Sequence, residues 1–445
     1  MEILYIMNRR ELLKLSAIAS VLLISGCTKI IPEPIIHFIE IEPDIKLLMP
    51  DSQQKRVVIV GGGWAGLSMA KNMKKNAPDM DVILLEQRSQ FFSLPTSNLW
   101  LVGAIDMEFL IHDYLQAARE NNYVYINTTV IDVDRDDQQV ITSHGALDYD
   151  YLVLAPGIEY DYSDWTTDSR FARKLQTIYP AGFLSSSEVL SIRNKIFDFQ
   201  EGTFLMNIPS GNYRSWAAPY ERALLMADFF TKEARDVEII LIDENKEIRS
   251  HKDIISSLFE KKYSDIIKYY PDTKIETIDI ENKKIITTDA IEFNFDDAVF
   301  YPKVKSGSLL EKIELLDENG EANINPLTNE DLEYDNVFVI GDARKMNFNR
   351  LGSTALSEAK ELSKRIVSKS LAKEHIWKSP ESISFCTIGI EPLRVLSTQG
   401  KYSYDFLLHR FNFIKKDIKK KHKKGEDDNS LYEWATQSFN ELFKA

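Results

Sequence analysis

Gly61-Gly62-Gly63-Trp64-Ala65-Gly66 and a glutamate twenty residues beyond Gly66, Glu86, are the residues whose types and spacing point most directly to chemistry. Gly61 suits a tight turn, Gly63 lets backbone approach a pyrophosphate, and Gly66 lets a helix pack closely on a strand. A carboxylate at Glu86 can accept the ribose hydroxyls of a dinucleotide and would repel a 2′-phosphate. The elements that must position these residues surround them. Arg56–Val60 is the β-branched run of a buried parallel strand, Leu67 to Lys75 has helical composition, and Asp81–Leu85 is a second strand ending at the acid. The helix N-terminus offers free amides and a positive dipole end to phosphates. A glycine turn with no ligand is the alternative, and strand, glycines, helix, strand and acid in that order weigh against it.

Two later segments bear on which dinucleotide is held. Tyr149 to Leu154 followed by Ala155-Pro156-Gly157 resembles the strand-and-turn signature of two-dinucleotide flavoproteins. Asn336 to Ile340 followed by Gly341-Asp342 resembles their second FAD signature. The resemblance implies FAD, with Asp342 at the ribityl chain and the next helix aimed at the flavin. It places Trp64, Ala65, Gln87, Ser97, Asn98 and Val130 along the cofactor as well. Asp342 as a simple helix N-cap is the other reading.

The middle of the chain repeats the pattern without its cradle. Phe204–Ile208 reads as a strand, Tyr220 to Phe230 as a helix and Val237 to Ile242 as a strand. The connection Pro209 to Pro219 holds one glycine, two prolines and bulky side chains where a pyrophosphate needs close backbone approach. NADH and NADPH are therefore poor candidates for the electron donor.

From Arg56 to Ala445 the chain resembles the flavoprotein subunit of flavocytochrome c sulfide dehydrogenase, a relative of the sulfide:quinone oxidoreductases. The segments that carry this are Ala155–Glu159, Ala218-Pro219-Tyr220-Glu221-Arg222-Ala223, Ile340–Ala343 and the stretch from Tyr432 to Phe443 with Trp434. The fold implied is α/β, with two Rossmann-like dinucleotide-binding domains, glutathione-reductase-like, plus a C-terminal α+β domain. The family uses a cysteine pair beside the flavin. Cys386 falls at the second position, whereas Ser215 stands at the first, and a hydroxyl cannot form a disulfide. The family's flavin-attachment cysteine falls on Leu94, which implies non-covalent FAD. Three readings stay open: Cys386 alone takes sulfur as a persulfide, the site uses another small reductant, or the flavin is structural. A lone buried cysteine can equally be an inert core residue. Glu221 is either a first-turn glutamate favoured by the helix dipole or, as the resemblance implies, a proton acceptor.

Composition and the chain ends set the wider frame. With 445 residues the chain exceeds one ordinary core, and a net charge of -14 argues against nucleic acid as a partner. Two cysteines, Cys27 and Cys386, exclude a disulfide framework and any thiolate-rich metal site. Asn8-Arg9-Arg10, an apolar run from Leu15 to Gly26 and Leu23-Ile24-Ser25-Gly26-Cys27 resemble an export signal ending in a lipobox, by a Tat or a Sec route. The expected division is 1–27 signal, 28–52 linker, 53–165 with 330–375 FAD domain, 166–329 second Rossmann-like domain and 376–445 flavin-covering domain. The seven lysines between Lys415 and Lys424 are either a solvated run or a docking patch for an acidic cytochrome or lipid head groups. The expectation is a periplasmic FAD oxidoreductase, membrane-anchored through lipidated Cys27. It would take electrons from sulfide or another small sulfur reductant and pass them to a c-type cytochrome or quinone. A peripheral type II NADH:quinone oxidoreductase and a non-catalytic flavin protein are the rivals.

Overall fold

The computed structural model describes residues 46, 47, 49 and 53–444, apart from 185, 319, 345–348 and 418–425. The expected signal with Cys27, nearly all of the linker, and most of the lysine run lie outside the described residues.

Strand β1 (Arg56–Val60) leads into helix α1 (Trp64–Asn76) and strand β2 (Asp81–Glu86), followed by β3 (Val124–Asn127) and β4 (Tyr151–Leu154). β1 pairs in parallel with β2 on one side and β4 on the other, Ile59 facing Leu84 and Val153. Four of its five residues are buried, which explains the unbroken apolar run, since helices or loops cover both faces. The chain then leaves this sheet.

A second parallel sheet follows. It contains β5 (Glu201–Ile208), β6 (Asp236–Asp243), β7 (Ile267–Tyr270) and β8 (Asp297–Val299), with α2 (Ala218–Lys232) crossing between β5 and β6. Its order is β7-β6-β5-β8. Pro219 sits in the first turn of α2, where its missing N–H costs nothing.

The chain returns to the first sheet at β9 (Val337–Val339), which pairs with β4, giving the order β9-β4-β1-β2-β3. Helix α3 (Gly352–Ser370) follows and packs against α1. The last unit is an antiparallel sheet of β10 (Glu381–Ile390), β11 (Leu393–Asp405) and β12 (Arg410–Asp417), closed by helix α4 (Ser430–Phe443). The fold is thus α/β with two Rossmann-like sheets. The α2 helix, buried along most of its length, is wedged between the second sheet and β10. Among the described residues no helix is long and apolar enough to cross a membrane.

Candidate functional site

A cavity of about 650 Å³ starts at the C-terminal ends of β1 and β2 and passes the turn after β4. It ends against Ser215, Glu221, Phe385 and Trp434. This is where an open α/β sheet binds ligands, outside the carboxyl ends of its strands.

At the near end, Gly61 takes φ +99°, a conformation L side chains rarely adopt. The Gly62 amide donates to Glu86 Oε2 at 2.6 Å, and the Tyr114 hydroxyl donates to the Gly62 carbonyl at 2.7 Å. Burial pushes the Glu86 carboxyl up, but Arg88 and the amides of Gly62 and Arg88 outweigh it and hold the group below its ordinary value. It is an anion at neutral pH. Arg88 donates to Glu86 from its backbone at 2.9 Å and from its guanidinium at 2.8 and 3.0 Å, so all of the carboxylate's acceptor sites are engaged. Its side chain is 42% exposed, which makes it the partner able to yield to a ribose.

The glycines divide by role. A Cβ on Gly63 would meet nothing within 4 Å, which leaves the room a pyrophosphate needs at the start of α1. Gly66 does not line the cavity; a Cβ there would strike the Gly61 carbonyl. Gly66, expected in the cofactor-binding turn as the residue that lets helix and strand pack, has that packing role here and no cavity face. The other residues expected along the cofactor, Gly61, Gly63, Trp64, Ala65, Glu86 and Gln87, all line the cavity. So do Ser97, Asn98, Val130, Ala155, Pro156, Gly157, Gly341 and Asp342.

Asp342 lies in a short turn, Gly341–Ala343, well ahead of α3, whose N-cap is Leu351. The N-cap reading of Asp342 is thus removed. Its carboxylate accepts from Arg214 Nε at 2.7 Å, a residue of the β5–α2 connection. Gly352 and Ser353, at the N-terminus of α3, form part of the same wall. Room at Gly63, an anionic Glu86 at one end and Asp342 with the α3 N-terminus at the other fit FAD. Bound there, FAD supplies the capacity to accept two electrons.

The far end holds a buried polar chain. Glu221 Oε1 accepts from the Thr387 amide at 2.6 Å, and Oε2 accepts from Asn98 Nδ2 at 2.8 Å. The Asn98 carbonyl in turn accepts from Arg222 Nε at 3.1 Å. One amide thus bridges a carboxyl and a guanidinium. Burial raises the Glu221 pKa against the opposing pull of Thr387, Asn98 and Arg222, while burial lowers that of Arg222 to about 10. Arg222 stays charged at neutral pH, its guanidinium 4.4 Å from the centre of the Phe183 ring. Glu221 faces the cavity with a proton affinity above that of an ordinary carboxylate. It can hold or release a proton there.

Cys386 is placed differently. Ile383 and Phe385 of β10 line the cavity, but Cys386 does not; its side chain is fully buried in the apolar core that contains Tyr220 and Leu224. Burial and, secondarily, the Glu221 charge push its thiol well above the ordinary range. A thiol held protonated is a poor nucleophile. Its placement favours the core reading over that of a sulfur-accepting cysteine. Ser215 does line the cavity, in a left-handed conformation with φ +53°.

At the corresponding end of the second sheet the strand-end carboxylates are engaged by the protein's own donors. Asp243, the last residue of β6, accepts from the Tyr220 hydroxyl at 2.6 Å and the Tyr269 hydroxyl at 2.8 Å. The neighbouring Glu244 accepts from the Ser210 amide and hydroxyl at 3.2 and 2.8 Å. Arg249 lies over Trp216, 4.3 Å from the ring centre.

Four participants escaped the sequence reading: Arg88, Tyr114, Arg214 and the bridging role of Asn98. Arg88 stands two residues after the acid, a spacing that carried a signal. Tyr114 and Arg214 act across the fold and left none.

Two family models match segments of the chain: pyridine nucleotide-disulphide oxidoreductase over residues 55–180, and sulfide dehydrogenase (flavocytochrome c) flavoprotein chain, central, over residues 190–300. The mitochondrial sulfide:quinone oxidoreductase of Mus musculus is 21% identical over 323 residues, covering 68% of this chain and 68% of the relative. A type II NADH:quinone oxidoreductase of Staphylococcus haemolyticus is 28% identical over 134 residues, and the match spans only 30% of this chain and 33% of that protein. The sulfide:quinone oxidoreductase structure from Aquifex aeolicus superposes with a TM-score of 0.66 at 16% identity, covering 86% of this chain and 89% of that one. With the matched segments, the long relative and the cavity in agreement, this chain is an FAD-binding oxidoreductase homologous to the sulfide:quinone oxidoreductases, and its central segment is similar to that of the flavocytochrome c sulfide dehydrogenase flavoprotein.

Proposed function

We propose that this protein oxidises sulfide or another small sulfur reductant at its FAD and passes the electrons to a quinone or a c-type cytochrome, on the outer side of a membrane. The observation that carries the choice of donor is that the strand-end acid of the second sheet is bonded from within the fold. Tyr220 and Tyr269 occupy the carboxylate of Asp243, and bulky residues stand in the β5–α2 connection, so a nicotinamide dinucleotide finds neither ribose acceptor nor phosphate cradle. The names of the longer relatives support a sulfur donor and a quinone acceptor. The resemblance of residues 8–27 to a lipoprotein export signal supports the location and an anchor at Cys27.

Without a cysteine in the cavity, the donor meets the flavin directly and no persulfide on Cys386 is required. The chain's own contributions are then positional. Asn98 holds Glu221 at the cavity wall, Glu221 exchanges the donor's proton, and the aromatic wall of Trp434 and Phe385 excludes water.

An anaerobic screen watching flavin absorbance tests this, with sulfide, thiosulfate, sulfite and NADH side by side. Rapid bleaching by a sulfur species and none by NADH is expected. Bleaching by NADH alone would favour a type II NADH:quinone oxidoreductase instead, and no bleaching by any of them a non-catalytic flavin protein.

A further inference from the structure

Three successive amides of the β5–α2 connection are taken up by the protein itself. The Arg214 amide donates to the Tyr301 hydroxyl at 2.9 Å, the Ser215 amide to the Arg350 carbonyl at 3.1 Å and the Trp216 amide to Asn349 Oδ1 at 3.2 Å. A row of amides is what a phosphate cradle turns toward its ligand. Here two of the three reach instead into the segment just ahead of α3.

Side chains make the same crossing. Arg214 Nε donates to the Asp342 carboxylate at 2.7 Å, and Nη1 donates to the Phe183 carbonyl. From the other side, Arg350 donates to the Asn212 carbonyl through Nη1, to the Asp342 carbonyl through Nε at 2.9 Å and to Glu321 Oε1 through Nη2 at 2.8 Å. Its side chain is 4% exposed, so these acceptors, not water, satisfy it. A rigid planar fork suits three acceptors drawn from three separate segments. Arg214, Ser215, Asp342 and Arg350 all line the cavity, so the seam they form is part of the wall around FAD.

We propose that the β5–α2 connection is a clasp that retains FAD, and that Arg350 is the positioning residue that fastens it. The seam joins two sheets that do not pair with each other, so it is a place where the cavity wall can part. A cofactor without a covalent link leaves no faster than its enclosing wall opens. The segment that cradles phosphate in a nucleotide-binding repeat thus acts here on the flavin of the other repeat. The clasp is independent of which donor reduces that flavin.

The test uses the full-length, FAD-loaded chain and its Arg350→Gln variant. Asn349→Ala is a milder second variant that leaves the guanidinium in place and removes the acceptor of the Trp216 amide. FAD release is followed by the rise in flavin fluorescence after dilution. Amide exchange is followed by mass spectrometry of peptides from 209–219 and from β1, β5 and β6. Arg350→Gln should speed FAD release about tenfold or more, the worth of one charge-assisted hydrogen bond. Arg350→Lys, which keeps the charge without the fork, and Asn349→Ala should both fall between this variant and wild type. Exchange should rise across 209–219 while the strands stay as in wild type. If Arg350→Gln yields no FAD-loaded protein, Asn349→Ala decides by the same criteria. The proposal is overturned by FAD release at the wild-type rate, whether or not 209–219 loosens. Faster release with 209–219 unchanged overturns it too, and would make Arg350 a direct FAD contact. Exchange raised alike in 209–219 and the strands would leave Arg350 a general staple between the two units.

Discussion

The Tyr220 hydroxyl lies 2.6 Å from Asp243 Oδ2, so the residue that ends the second sheet's central strand is satisfied from within the fold. Burial pushes the Asp243 carboxyl up, against the bonds from Tyr220, Asn245 and Tyr269 that pull it down. Tyr220→Phe leaves a buried acceptor one donor short, with Tyr269 still in place. Chemical denaturation should show a loss of about 1–2 kcal/mol. The same variant should still fail to bind NADH by fluorescence titration, because the cradle is missing as well as the ribose acceptor. Tight NADH binding after this one change would show that the tyrosine alone closes the site.

Gly63 separates the fold's needs from the cofactor's. A Cβ there touches no protein atom within 4 Å, so Gly63→Ala should leave the melting of the flavin-free protein within about 0.5 kcal/mol of wild type. FAD retention through gel filtration should fall sharply, since the methyl enters the space a pyrophosphate needs. Equal FAD content in both proteins would place the phosphates elsewhere. Acid precipitation of the wild type should leave FAD in the supernatant, because Leu94 offers no attachment atom.

The raised pKa of Glu221 has a defined sign. Between the ordinary carboxylate value and its raised folded value, the folded chain binds a proton that the unfolded chain has lost, so this group costs stability as pH rises through that window. Glu221→Gln should therefore gain stability relative to wild type on going from acid to neutral pH. Flavin reduction by the sulfur donor should slow on the order of 100-fold in the same variant and lose its dependence on this titration. A rate profile identical to wild type would restrict Glu221 to a structural role.

The parts of the molecule that sequence makes legible are those governed by local rules. The first βαβ unit is visible because Val57–Val60 must be apolar on both faces and because only glycine serves at Gly61. The return at Val337 is visible through the same kind of run followed by Gly341-Asp342. Side-chain direction is not. Cys386 occupies the expected place on β10, but strand alternation turns Phe385 to the cavity and Cys386 to the core, and a single register step decides between them. Arg214 reaching Asp342 across 128 positions of sequence is likewise a tertiary fact with no local trace.

Cys386 gives the sharpest contrast between position in sequence and position in space. If its thiol took part in sulfur transfer, Cys386→Ser would abolish reduction by sulfide, since serine barely ionises near neutral pH. Its burial outside the cavity, with the proton held firmly on sulfur, predicts otherwise: the rate of flavin bleaching by sulfide should stay within about twofold of wild type. The cost should appear in stability, because a hydroxyl placed at this fully buried position has a polar group to satisfy, a penalty of about 1–3 kcal/mol. Cys386→Ala, which adds no polar group, should lose less and bleach equally fast. Stopped-flow reduction with denaturation of both variants separates the two roles. Loss of bleaching in both, with folding intact, would return the cysteine to the reaction and require β10 to turn its side chain inward when flavin and donor are bound.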